Sequence, residues 1–248
     1  MAAEEKPNPL RVAISGAAGA IGAATARVFA ARGASLVLID RDEAALSGLR
    51  HALGEAVAQV VVCDQAAGEE TARALREIGV VDVFVNNAGV LLRKPLLETD
   101  DDDIAHVLNV NVVGATRMAI GMARAMRAAG RPGVILNVSS HQAFVGGMGR
   151  GIYSMSKAAL VQFTRTAGAE WAPHGIRVIG LAPGPVGSPL MDDVMADPAR
   201  REAVLSRLPL GRLMTQEEIA GLIHEMCSGR MACVIGQTLI ADGGAMLS

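Results

Sequence analysis

Tyr153 and Lys157 stand four residues apart in the stretch Gly151-Ile152-Tyr153-Ser154-Met155-Ser156-Lys157. On a helix that spacing stacks both side chains on one face, one turn apart. The residues that follow, Ala158-Ala159-Leu160-Val161-Gln162-Phe163, carry an apolar stripe on acceptable helix formers, so a helix is the expected setting. A free tyrosine has a pKa near ~10 and keeps its proton at neutral pH. An ammonium group beside it favours the phenolate, and a shift of about three units corresponds to about 4 kcal/mol. A phenol tuned in this way gives or takes a proton near pH 7. The same pair also arises as a half-buried ring beside a solvated charge. Two features set it apart here: Tyr153 is the only tyrosine in the chain, and a glycine-rich loop of nucleotide-binding type stands near the N-terminus.

That loop is Gly16-Ala17-Ala18-Gly19-Ala20-Ile21-Gly22. Residues 11–15 before it read as a short buried strand, and the Ala-rich residues 23–32 after it as a helix. Strand, glycine loop and helix in this order make a phosphate cradle. Glycines let the backbone approach a pyrophosphate, and the helix N-terminus offers N–H groups and the positive end of a dipole. A second apolar strand, 35–39, closes on Asp40. An acidic residue about twenty positions past the glycines suits the ribose hydroxyls of NAD and repels the 2′-phosphate of NADP. Arg41 follows directly and softens that discrimination; as an alternative role, Asp40 suits a helix N-cap or turn.

The elements that must position these groups alternate. Strands are expected over 57–63 ending at Asp64, over 81–85 ending in Asn86-Asn87-Ala88-Gly89, and over 134–138 ending in Ser139-Ser140. Further strands are expected over 176–182, leading to Pro183-Gly184-Pro185-Val186, and over 237–241. Helices are expected over 43–53, 67–78, 153–172 and 215–227, the last capped by Thr215 with Glu218 completing a capping box. Asp100-Asp101-Asp102-Asp103 is read as the start of a long helix to about residue 128 rather than as a metal site. Within that helix, Asn109, Asn111 and Gly114 predict a local distortion or a functional side chain. Repeated β-α units imply a single α/β domain, a doubly wound, Rossmann-type parallel sheet of about seven strands with helices on both faces. Ligands of such sheets bind beyond the carboxyl ends of the strands, where Asp40, Asp64 and Asn86 fall. Residues 187–212 break the rhythm, with Met, Pro and charge, and are expected to form a substrate lid with short helices; residues 1–10 read as a loose tail.

Composition narrows the classes. Aromatics are 2% of 248 residues, so the core must be built from Ala, Val, Leu, Ile and Met. A net charge of −2 gives no basic field for nucleic acid or acidic membranes, and the uncharged stretch 12–26 is too short to span a bilayer. Cys63, Cys227 and Cys233 are odd in number and lack metal-type pairing, which suggests buried thiols in a reducing compartment. The N-terminus has no basic-then-apolar leader, so the expected location is the cytoplasm.

Taken together, these residues resemble the short-chain dehydrogenase/reductase family from about Arg11 to Gly244. Tyr153-x-x-x-Lys157 matches its catalytic pair, Ser140 its serine thirteen residues earlier, and Asn111 its fourth catalytic residue. Asn86-Asn87-Ala88-Gly89, Pro183-Gly184 and Asp242-Gly243-Gly244 match its other motifs. The resemblance implies Tyr153 as general acid in reduction and base in oxidation. Lys157 lowers its pKa and holds the nicotinamide ribose, Ser140 hydrogen-bonds the substrate oxygen, and Asn111 holds a water. It places Gly16, Ala18, Gly19, Ala20, Ile21, Gly22, Asp40, Arg41, Cys63, Asp64, Asn87, Ala88, Gly89, Pro183, Gly184, Val186 and Ser188 around the cofactor. Three departures stand out: Ser15 for a threonine, Ala20 for the second glycine, and Ile179 for an asparagine.

The implied activity is hydride transfer between NAD, with NADP less favoured, and a secondary alcohol or ketone of small size, in a homotetramer. A 3-oxoacyl-carrier-protein reductase is one alternative, with Asp40 counting against it. A nucleotide-binding sensor without turnover is another, with the full set of catalytic residues counting against it. The substrate pocket is expected to be mostly apolar, lined by His141, Phe144, Met148 and Met191, with His141 more a wall residue than an extra donor.

Overall fold

The structure is a computed structural model that describes residues 9–247; the greater part of the expected tail, residues 1–8, lies outside the described residues. Seven strands form one sheet: β1 (Arg11–Ser15), β2 (Ser35–Asp40), β3 (Val57–Val62), β4 (Val83–Asn86), β5 (Gly133–Val138), β6 (Ile176–Pro183) and β7 (Thr238–Ala241). All six pairings are parallel, in the order β3-β2-β1-β4-β5-β6-β7. The order reverses between β1 and β4, which opens a crevice at their carboxyl ends.

The period of two along each strand divides the core into two layers. Val12, Ile14, Leu36 and Leu38 face one side, where they meet α1 (Ala20–Ala30), α2 (Glu43–Leu53) and α9 (Gln216–Cys227). Ala13, Val37, Ile39 and Phe84 face the other, against α3 (Gly68–Ile78), α5 (Ala115–Ala128) and α6 (Gly151–Trp171). Methionine stands in for aromatics: Met118, Met122 and Met126 recur every four residues on α5 and are fully buried. Of the three thiols, Cys63 and Cys227 are buried as expected, but Cys233 is exposed because it follows a surface turn after α9.

The acidic run starts a helix. Asp100 caps α4 (Asp101–Leu108) in a capping box with Asp103, and Lys94 bridges both carboxylates. The single helix expected to residue 128 is interrupted by a π-helical turn, Asn109–Gly114, before α5 begins. A wider turn of this kind costs hydrogen-bond geometry and recurs at functional sites. At the far end Thr215 caps α9, with Glu218 returning the bond. Two short helices, α7 (Pro189–Ala196) and α8 (Pro198–Leu205), occupy the stretch where the β-α rhythm stops. Among the described residues no helix is long and apolar enough to cross a membrane.

Candidate active site

A cleft of about 1370 Å³ runs along the carboxyl ends of the strands, from Asp40 and Arg41 at one end to Tyr153, Arg150 and Met148 at the other. At the first end, Gly16 takes φ +65°, and a Cβ there would stand 2.8 Å from the Ala88 Cα. Helix α1 begins at Gly19 with no side chain capping it and no acidic residue in its first turn. An uncapped, uncrowded helix start behind a glycine turn fits a pyrophosphate. Gly16, Ala18, Gly19, Ala20 and Ile21 all line the cleft. Gly22 does not. Its Cβ would fall 2.0 Å from the Gly16 carbonyl oxygen, so this glycine lets helix and turn pack.

Asp40 is held rather than loose. One carboxylate oxygen accepts from the Ala18 N–H at 3.0 Å and the other from the Asp42 N–H at 3.1 Å. The N-cap of α2 is Asp42. Cys63 and Asp64 line the wall beside Asp40, and Asn87, Ala88 and Gly89 continue it toward Tyr153. Ser15 serves where a threonine was expected: its hydroxyl oxygen accepts from the N–H groups of Asn87 and Ala88 at 3.1 and 3.2 Å. The buried Asn86 amide donates to Ala115 O and Asn137 Oδ1, both at 2.9 Å, and so ties β4 to α5 and β5. Ile179 is fully buried among apolar neighbours and makes an apolar contact in place of an amide bond.

At the centre, Ser140, Tyr153 and Lys157 line one wall. Ser140 Oγ accepts from the Gln142 N–H at 3.2 Å, which leaves its own proton to donate. Lys157 is 4% exposed; its Nζ donates to Val138 O at 3.0 Å and lies 5.9 Å from the centre of the Tyr153 ring. Burial pushes Lys157 down to about 8. Tyr153 departs from expectation. Burial of the phenol is the largest influence and raises its pKa; the Ser140 hydroxyl and then Arg150 oppose that rise. The ammonium that was to lower it is turned toward a strand carbonyl. Asn111 also differs. It is fully buried, its Nδ2 donates to Val90 O and Ser156 Oγ at 2.9 and 3.0 Å, and its Oδ1 accepts from the Val90 N–H at 2.8 Å. Both donors of its amide are spent on protein, so the side chain ties the π-helical turn to α6 and to the loop after β4.

The far end differs most from the sequence expectation. His141, Met148 and Met191 line it, but Phe144 does not. Phe144 ends the short 3-10 turn His141–Ala143, and this turn presents Gln142 to the cleft instead. His141 Nδ1 lies 3.2 Å from Pro183 O, which can only accept, so this nitrogen carries a proton. Burial, first among its influences, lowers the ring's pKa and favours the neutral form. Its Nε2 then accepts from Gln142 Nε2 at 2.8 Å. Both ring nitrogens are used, which makes His141 a wall. The lining of the cleft is mostly apolar, as expected, and Arg93, Gln142, Arg150 and Arg207 add polar groups to it. Arg150 carried a readable signal, standing three residues before Tyr153 and so one turn away. Arg93 and Gln142 carried none, since only the chain path brings them here. Pro183, Gly184, Val186 and Ser188, with Pro189 of α7 and Ala203 and Val204 of α8, complete the wall.

A family model described as enoyl-(acyl-carrier-protein) reductase matches residues 16–246. L-xylulose reductase of Bos taurus is 34% identical over 235 residues, covering 94% of this chain and 95% of that protein. Galactitol 2-dehydrogenase (L-tagatose-forming) of Cereibacter sphaeroides is 37% identical over 237 residues, covering 94% and 93%. A crystal structure of a gluconate 5-dehydrogenase from Burkholderia cenocepacia, in complex with NADP and tartrate, is similar with a TM-score of 0.90 at 32% identity, over 96% of each chain.

Proposed function

The chain belongs to the short-chain dehydrogenase/reductase family of oxidoreductases, and from that premise we propose that it interconverts a secondary alcohol and a ketone with Tyr153 as the proton donor and acceptor. The observation that carries this reading is the convergence of Ser140, Tyr153 and Lys157 on one wall of the cleft that begins at the Gly16 turn. A nicotinamide cofactor in that cleft supplies or accepts the hydride. In reduction the Tyr153 hydroxyl gives its proton to the carbonyl oxygen as negative charge develops there. Ser140, whose own oxygen is already engaged with the Gln142 N–H, donates a second hydrogen bond to the same atom. Lys157 holds a ribose hydroxyl with the N–H donors not spent on Val138 O and keeps positive charge near the phenol. Burial keeps Tyr153 protonated in the unliganded cleft, so the proton is in place for reduction.

NAD is the proposed cofactor, because Asp40 stands fixed where a 2′-phosphate would meet its charge. Residues 187–212, with α7 and α8, are proposed as the substrate lid, since Met191, Val204 and Leu208 of this stretch line the cleft that holds Tyr153. A homotetramer is proposed on the exposed apolar residues Val113, Met155, Leu239 and Ile240, which stand before α5, on α6 and on β7.

The test is nicotinamide absorbance over polyols, ketoses and secondary alcohols with both cofactors, beside Tyr153→Phe. Turnover is expected to fall by about 10²–10⁴-fold in the variant while NADH binding persists. Full activity in Tyr153→Phe would refute the mechanism.

A further inference from the structure

Among the described residues that line the substrate end of the cleft, the charged side chains are arginines. The carboxylates that line the cleft among the described residues are Asp40 and Asp64, both at the opposite end. Arg93, Arg150 and Arg207 line the end that holds Tyr153 and the α7–α8 segment. Arg150 is the residue immediately before α6, one turn from Tyr153, and is half-buried. Among the described residues its guanidinium has no hydrogen bond and no ion pair. Its strongest charged neighbour is another cation, Arg93, which with burial depresses its pKa. Arg93 in turn reaches Met191 of α7 through Nη2, at 3.8 Å from the sulfur. A half-buried guanidinium with five donors and a like charge beside it is stable only when something anionic or strongly accepting completes it.

A second polar side chain stands at the same end of the cleft. Gln142 is 9% exposed and lines the cleft, and its Oε1 is buried with no partner among the described residues. The amide orientation is fixed, because Nε2 must donate to the unprotonated Nε2 of His141. Gly147 packs against the orphaned oxygen so closely that a Cβ there would stand 2.1 Å away. Gly147 thus covers this acceptor, and Gln142 braces His141 and the turn that carries Ser140 rather than reaching a ligand.

We propose that the substrate is a carboxylate-bearing hydroxy or keto compound, with its anionic group on Arg150 and its reacting carbon beside Tyr153. This rests on the reading of Tyr153 as the proton donor and narrows it from alcohols and ketones in general to hydroxy acids and keto acids. A planar guanidinium grips a carboxylate through two parallel N–H···O bonds, which fixes orientation as well as charge. Arg93, on the loop that also touches α7, would feel the same anion and couple its arrival to the lid.

The test uses pairs that differ in one end group: D-gluconate with D-glucitol, D-galactonate with galactitol, and 5-keto-D-gluconate with L-sorbose. Turnover is read with both cofactors, and binding of each acid to the NADH-loaded protein is read by calorimetry. The acid of at least one pair is expected to exceed its neutral partner by about 30- to 100-fold in kcat/KM or affinity. Arg150→Met is expected to collapse that preference, and Arg150→Lys, which keeps the charge and loses the fork, to retain an intermediate one. Thermal melting shows whether each variant folds; should Arg150→Met not fold, the lysine variant alone decides through its intermediate preference. Equal handling of acid and neutral partners, or no binding of any acid, overturns the proposal. The two readings fail separately. Tyr153-dependent turnover without acid preference sinks only this one, and acid binding through Arg150 with turnover indifferent to Tyr153→Phe sinks only the other.

Discussion

The two ends of the cleft are built on different principles. At the Gly16 end the wall is backbone. A glycine at φ +65°, a helix start without a cap, and amides held by Asp40 and Ser15 make a surface whose shape follows from strand register. At the Tyr153 end the wall is side chains drawn from the loop after β4, the turn after β5, the residue before α6, and α7 with α8. The first end recognises a group through geometry that tolerates almost no added atom. The second recognises through charge and hydrogen-bonding capacity, and is free to vary. A substitution at the first end should therefore damage folding and cofactor binding together, whereas one at the second should change preference and leave the fold in place.

The largest expected effect tests the first half of that contrast. Gly16→Ala forces an L-residue into a left-handed conformation and drives its methyl against the Ala88 backbone. A loss of about 2–3 kcal/mol in stability is expected, with NADH affinity down by about 30-fold or more. Chemical denaturation and NADH titration measure the two; a stable variant with normal affinity would break the comparison. Asp40→Asn comes next. Removing the charge, while keeping one of the two oxygens that accept from Ala18 and Asp42, should raise the NADP-to-NAD ratio of kcat/KM by about 30-fold, equivalent to about 2 kcal/mol of relieved repulsion. An unchanged ratio would transfer cofactor choice to Arg41.

The smallest effect sits at the seam between the ends, on Lys157. Its pKa is lowered to about 8, so the ammonium is present below that pH and lost above it. Tyr153 is shifted the other way and stays protonated through this range. Ketone reduction should therefore be flat to about pH 7 and fall about tenfold between pH 7 and 9, following the loss of the lysine charge. A profile flat to pH 10 would mean that the bound cofactor restores the lysine's pKa. Arg150→Met, by contrast, should leave the thermal midpoint close to that of the parent, because its side chain makes no bond to the fold among the described residues.

Local chemistry was legible from the residues alone. The β-α alternation, the glycine turn, the Tyr153–Lys157 spacing on α6, the Thr215–Glu218 capping box and the distortion around Asn111 all depend on neighbours within a few positions, where periodicity, backbone freedom and capping act. The sequence thus determined that this chain is a doubly wound sheet with Tyr153 and Lys157 one helical turn apart at its carboxyl edge. Tertiary structure alone decided the rest. It made Gly22 a packing contact, satisfied the donors of Asn111, used both nitrogens of His141, turned Phe144 away and raised the pKa of Tyr153 through burial. It also gathered Arg93, Gln142 and Arg150 from three separate segments around one volume. Burial, hydrogen-bond saturation and the summed field of charges are properties of groups brought together across long loops, and no spacing along the chain encodes them.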